Sequence, residues 1–243
     1  MSDTATLPES LAAIRDQIAT AAARSSRAAE DITLIAVSKT HPPEAVCEAL
    51  GAGQTVFGES RVQEARAKIP LVPGRARWHF IGHLQKNKVR YALPLFELFH
   101  GVDSLEIAGD IQRIAAEIGA FPEVLLEVNV AGEGSKFGFA PERLRAQMEA
   151  LLALDRLNIV GLMCIPPPQP RAELTRPFFT ALRELRDGLQ TEFRVPLPQL
   201  SMGMSGDFAV AIEEGATLVR VGTAIFGGRA GKAWKPVDLN FEF

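Results

Sequence analysis

Short apolar runs rich in β-branched residues alternate with stretches of helical period along almost the whole chain. The first run, Thr33-Leu34-Ile35-Ala36-Val37, passes through Ser38-Lys39-Thr40 and meets His41-Pro42-Pro43, where two prolines forbid its continuation. Before it, Leu11, Ile14 and Ile18 fall at helical spacing, so an amphipathic helix is predicted from about Pro8. After it, Pro43 to Leu50 reads as a helix, with Pro43 in the first turn and Gly51 as its stop.

The alternation then repeats. Strands are predicted at Thr55 to Gly58, Arg77 to Ile81, Leu98 to Val102, Val124 to Val130, Ile159 to Ile165, Gln199 to Met202 and Leu218 to Val221. Between them lie helical stretches at Val62 to Lys68, Gln85 to Arg90, Leu105 to Ile118 with Asp103 or Ser104 as its cap, Pro141 to Leu154, Phe178 to Leu189 and Phe208 to Glu214. Eight strands in strict alternation with helices argue for an α/β fold: a single (β/α)8 TIM-type barrel, residues 1–243, with an extra N-terminal helix. The tail after Phe226 is too interrupted by Gly, Trp and Pro for a long eighth helix, so the N-terminal helix is expected to cover that part of the barrel.

A chain of 243 residues with 47% hydrophobic and 23% charged content can bury one large core. Its net charge of −3 gives no general drive toward nucleic acid or an anionic membrane. Cys47 and Cys164 are far apart and suggest no disulfide framework or metal motif. No signal-like N-terminus and no apolar run near the ~20 residues of a membrane span are present, so a cytoplasmic protein is expected.

In such a barrel the active face lies at the C-terminal ends of the strands. Lys39 falls there after the first strand, although strand-end lysines are commonly solvated gatekeepers. After the seventh strand comes Ser201-Met202-Gly203-Met204-Ser205-Gly206-Asp207, and after the eighth Gly222-Thr223. Small residues let backbone N–H groups approach an anion and hydroxyls add donors, whereas a Gly/Ser loop can equally serve only to turn the chain. Arg220 interrupts an apolar strand beside these loops and needs a partner, either a ligand or a structural carboxylate.

A lysine on the first strand, an arginine on the last and a phosphate cradle between them together suggest pyridoxal 5′-phosphate. It offers a phosphate, a pyridine nitrogen that can accept from arginine and an aldehyde that forms an imine with lysine. Burial among these groups would lower the lysine's pKa.

The ordered segments Ala36-Val37-Ser38-Lys39, Phe57-Gly58-Glu59, Trp78-His79-Phe80-Ile81-Gly82, Leu84-Gln85, Asn87-Lys88, Lys136-Phe137-Gly138-Phe139, Gly161-Leu162-Met163, Leu200 to Ser205 and Val219 to Gly227 resemble the pyridoxal phosphate homeostasis protein family, whose fold is similar to the alanine racemase barrel. The resemblance covers nearly the whole chain. It implies that Lys39 is the Schiff-base lysine, that Ser201, Ser205, Gly222 and Thr223 hold the phosphate, and that Arg220 faces the pyridine nitrogen. It puts His79 near the ring, beside the alternative of a packed histidine. One departure is visible: Ser60-Arg61 stands where the family commonly has Asn and Tyr.

The expected role is intracellular vitamin B6 homeostasis, holding or delivering the cofactor, with apo-enzymes as partners and a monomeric state. An amino-acid racemase is the rival, with His79, Cys164 or Lys136 as a second base; Tyr91 reads as a packing or surface residue. A barrel enzyme acting on a sugar phosphate, with Lys39 as catalyst, is a third possibility. His79 and His83 are four apart but span a strand end and a loop, which lacks the helical geometry that makes this spacing useful for a metal.

Overall fold

The computed structural model describes residues 5–133, 137–228 and 234. A helix α1 (Leu7–Arg24) precedes the alternating series. In the first half β1 (Thr33–Val37), α2 (Pro43–Gly51), β2 (Val56–Glu59), α3 (Val62–Lys68), β3 (Arg77–Phe80), α4 (Val89–Ala92) and β4 (Leu98–Val102) follow in turn. The second half holds α5 (Leu105–Ile118), β5 (Glu123–Glu127), α6 (Pro141–Leu152), β6 (Asn158–Met163), α7 (Arg176–Phe193), β7 (Gln199–Ser201), α8 (Phe208–Glu213), β8 (Leu218–Val221) and α9 (Thr223–Phe226). Every neighbouring pair is parallel, and β8 pairs with β1 to close the barrel, as the alternation predicts.

Strand alternation sorts the apolar residues into two clusters. Ile35, Val56, Leu98, Leu125, Met163 and Leu218 point inward and fill the barrel. Their neighbours Ala36, Phe57, Phe99, Leu126 and Val219 point outward and pack under the helices. Burying both faces explains why these strands read as continuous apolar runs.

Local sequence signals set the helix ends. Thr6 and Glu9 form a capping box at the start of α1, Ser104 caps α5, and Gly119 ends α5 in the left-handed region at φ +72°. Leu11, Ile14 and Ile18 of α1 are buried, and α1 packs against α2, α8 and α9. It therefore covers that part of the barrel, as expected; the tail beyond residue 228 lies, apart from Trp234, outside the described residues. Arg27, just past α1, donates to the carbonyls of Ile212 and Ala216 at 3.2 and 2.7 Å.

The fifth strand is shorter than its apolar run to Val130. The following loop folds back beside it: Phe139 N–H donates to the Glu127 carbonyl at 2.8 Å, and Asn129 N–H to the Phe139 carbonyl at 2.9 Å. No helix among the described residues is long and apolar enough to cross a membrane.

Candidate functional site

Lys39 leaves β1 on a tight turn at the C-terminal mouth of the barrel. His41 N–H closes the turn on the Ser38 carbonyl at 3.0 Å, and Thr40 takes φ +70°, a left-handed value that β-branched residues rarely adopt. Lys39 is exposed while Ser38 before it is fully buried.

Beside this turn the ends of β7 and β8 meet. Ser205 Oγ lies 3.3 Å from Gly222 N–H, which donates to it, and 3.2 Å from Thr223 Oγ1. One backbone donor and two hydroxyls converge at the mouth. Gly222 lies against β1: a Cβ there would sit 3.2 Å from the Val37 carbonyl oxygen and 3.3 Å from Val37 Cβ. Gly203 at φ +89° has no room for a side chain either, since a Cβ would come 2.6 Å from Ala211 Cβ and 2.8 Å from Phe208 Cα. Asp207 Oδ1 holds the same loop by accepting from Met204 N–H at 2.7 Å.

Below the mouth, inside the barrel, Arg220 is buried and donates to the Ser201 hydroxyl and, at 2.9 Å, to the Cys164 carbonyl. Ser201 Oγ also lies 2.8 Å from His100 Nδ1, and His100 Nε2 lies 3.1 Å from His79 Nδ1. Burial, reinforced by the neighbouring His79 and Arg220, pushes His100 well below the ordinary histidine range. Burial first and Arg77 second lower His79 to about 4, so both imidazoles are neutral near pH 7.

Two of the residues named from the sequence lie deeper in the barrel than the mouth loops. Ser201 ends β7 with its hydroxyl fully buried between Arg220 and His100. His79 does not reach the mouth. It is 5% exposed and lines a cavity of about 240 Å³ with Thr33, Val56 and Leu218, at the N-terminal end of the strands.

A further titratable group near the mouth, Glu127, was not singled out from the sequence. Glu127 ends β5, and burial, reinforced by Asp103 and opposed by Arg220 and His83, raises it to about 7. His83 Nδ1 lies 2.7 Å from Asp103 Oδ2, and its ring stacks on Phe137 at 3.9 Å between centroids. Cys164 points into the outer core, where burial pushes its thiol up to about 12. The basic run around Lys86 and Arg90 pairs with Asp110 and Glu117 of α5. Lys136 lies outside the described residues. The available signal for Glu127 was a single carboxylate in an apolar strand, the same kind that drew attention to Arg220.

The arrangement combines an exposed primary amine, a cluster of one backbone N–H and two hydroxyls bonded to one another at the mouth, and a buried guanidinium that only donates. Comparison with known proteins adds the lineage. Residues 10–230 match the family described as "Alanine racemase, N-terminal domain". A pyridoxal phosphate homeostasis protein of Aquifex aeolicus is 46% identical over 222 residues, 91% of this chain and 97% of that protein. The solved structure of PipY from Synechococcus elongatus PCC7942, with PLP bound, is 40% identical with a TM-score of 0.81, covering 91% of this chain and 100% of that one. Alanine racemase of Clostridium difficile 630 shares the barrel alone, at 17% identity and a TM-score of 0.68, and this chain spans 57% of its length.

Proposed function

The chain belongs to the alanine racemase N-terminal domain family and to its pyridoxal phosphate homeostasis proteins, and from that premise we propose that it holds pyridoxal 5′-phosphate at the barrel mouth through Lys39. The cofactor supplies an aldehyde electrophile and a phosphate when bound. The residues fit that group: Gly222 N–H, Ser205 Oγ and Thr223 Oγ1 are hydrogen-bonding groups gathered at one point of the mouth that could turn to a phosphate's oxygens.

The observation that carries the reading is the side-by-side placement of this cradle and the Lys39 turn, with Arg220 buried beneath. His41 stacks on Phe226 at 4.9 Å, tying the Lys39 turn to α9, the short helix that begins at Thr223. Lys39 would supply the amine that holds the aldehyde carbon. Arg220, its orientation held by Ser201 and the Cys164 carbonyl, would serve as a donor to the pyridine nitrogen.

We read the role as holding or delivering the cofactor in the cytoplasm, as a monomer, to apo-enzymes that need it, rather than turning over an amino acid. Two of the side chains considered as a second base support this: Cys164 is sealed in the outer core and His79 lies toward the opposite end. The test is the visible absorbance of the wild-type protein beside Lys39→Ala after incubation with pyridoxal phosphate. A lysine-dependent band is expected, and equal colour in both would overturn the assignment. Incubation of the loaded protein with L-amino acids in deuterated water is expected to give no sustained α-proton exchange; sustained exchange would favour the racemase.

A further inference from the structure

Behind the barrel wall, on the side away from the cradle, a buried ionic cluster grips the Lys39 turn. Lys68, the last residue of α3, is fully buried, and its Nζ donates to Glu59 Oε1 at 2.7 Å, Glu64 Oε1 at 2.8 Å and the Ser38 carbonyl at 2.9 Å. Glu64 Oε1 in turn accepts from Thr40 N–H at 2.6 Å, and Ser38 Oγ donates to Glu59 Oε1 at 2.8 Å. The residue before Lys39 and the residue after it are therefore both tied to one ammonium group. Lys39 itself takes no part in the cluster. Trp234 closes it, its N–H donating to the Thr40 carbonyl at 3.0 Å and its ring centroid 5.3 Å from Lys68 Nζ.

Stability alone is a poor reason for such a cluster. Burying an ammonium and a carboxylate costs several kcal/mol for each ion, and well-packed apolar residues in their place are often as stable. Satisfaction is also incomplete: Glu59 Oε2 is buried with no hydrogen-bond partner among the described residues. Burial accordingly raises the Glu59 carboxyl to about 7 against the pull of Lys68. What the cluster does secure is geometry. Glu64 fixes the Thr40 amide and Lys68 the Ser38 carbonyl, so the backbone on both sides of Lys39 is held in one arrangement, with Thr40 in the left-handed region.

We propose that Lys68, acting with Glu59 and Glu64, is the positioning residue that aims the Lys39 amine at the aldehyde carbon, an inference that rests on the Lys39 reading above. It acts on capture and leaves recognition of the phosphate alone, because Ser205, Gly222 and Thr223 belong to other elements.

The test separates the two steps with two probes. Pyridoxine 5′-phosphate carries the ring and phosphate but an alcohol in place of the aldehyde, so its affinity reports the cradle alone. Pyridoxal 5′-phosphate followed by borohydride reports capture: the Lys39 nitrogen forms a C=N bond as the carbonyl oxygen leaves as water, and the reductant's hydride fixes it as a secondary amine. Lys68→Met and Glu64→Leu are expected to slow capture about ten-fold or more while pyridoxine phosphate affinity stays within about two-fold. Glu64→Gln keeps an acceptor for Thr40 N–H and is expected to capture near the wild-type rate. Should Lys68→Met fail to fold, the Glu64 pair still decides, since Glu59 keeps Lys68 paired in both. Wild-type capture rates in Lys68→Met and Glu64→Leu, or equal losses of capture and pyridoxine phosphate affinity, would overturn the inference. Absence of borohydride capture on Lys39 of the wild-type protein would instead remove the reading beneath it.

Discussion

The hydroxyl of Ser201 stands between Arg220 and His100, accepting from the guanidinium and lying 2.8 Å from His100 Nδ1. This separates two serines that share one loop sequence: Ser201 orients Arg220, while Ser205 faces the mouth. Ser201→Ala leaves buried polar partners unsatisfied and should cost about 1–3 kcal/mol of stability, read as a shift in the urea midpoint. Ser205→Ala should leave that midpoint nearly unchanged and weaken pyridoxine 5′-phosphate binding instead. The opposite pattern would place Ser201 in the phosphate cradle.

Lys39→Ala removes an exposed side chain with no packing role, so its unfolding free energy should stay within about 0.5 kcal/mol of wild type. Borohydride trapping of pyridoxal phosphate should disappear in the same variant. A large stability loss would show that the exposed amine is doing structural work that the geometry does not explain.

Gly203→Ala tests the shape of the loop after β7. The position is left-handed at φ +89°, and the added Cβ would strike Ala211 Cβ at 2.6 Å. A cost of about 1–3 kcal/mol is expected from the backbone strain, with a further share from the clash. Because Ser205 hangs from the same loop, phosphate affinity should fall with it; retained affinity in titration calorimetry would show that the loop relaxes without moving Ser205.

The buried histidines set an acid limit. His79 is lowered to about 4 in the folded chain against an ordinary value near 6.5, so the unfolded chain binds the extra proton between those values. Its contribution is fully present above about pH 6.5 and is lost as pH falls toward 4, a change of about 3 kcal/mol by linkage. Glu127, raised to about 7, runs the other way: its contribution is present below the ordinary carboxylate pKa and is lost as pH rises through 7. Urea midpoints at pH 5 and pH 8 should therefore move in opposite senses in two variants. His79→Asn should lose less stability than wild type on acidification, and Glu127→Gln should be relatively more stable at pH 8. Unchanged pH profiles in both variants would show that neither group carries the linkage.

Much was legible in the residues themselves. The alternation of apolar runs with helical periods is a local property, and it specified the eight βα units, the covering role of α1 and the placement of Lys39, Ser205 and Gly222-Thr223 at strand ends. Strand alternation also made Arg220 conspicuous. What the tertiary structure decided is depth and side. Whether His79 reaches the mouth or the floor depends on the stagger between strands, and its chain of contacts runs through His100 to Ser201, 101 residues further on. Glu64 and Lys68, four apart on one helix, look like an ordinary surface pair in sequence. Only the packing of α3 against β1 and β2 takes Lys68 out of water, because burial is a property of what lies opposite a residue and not of its neighbours along the chain.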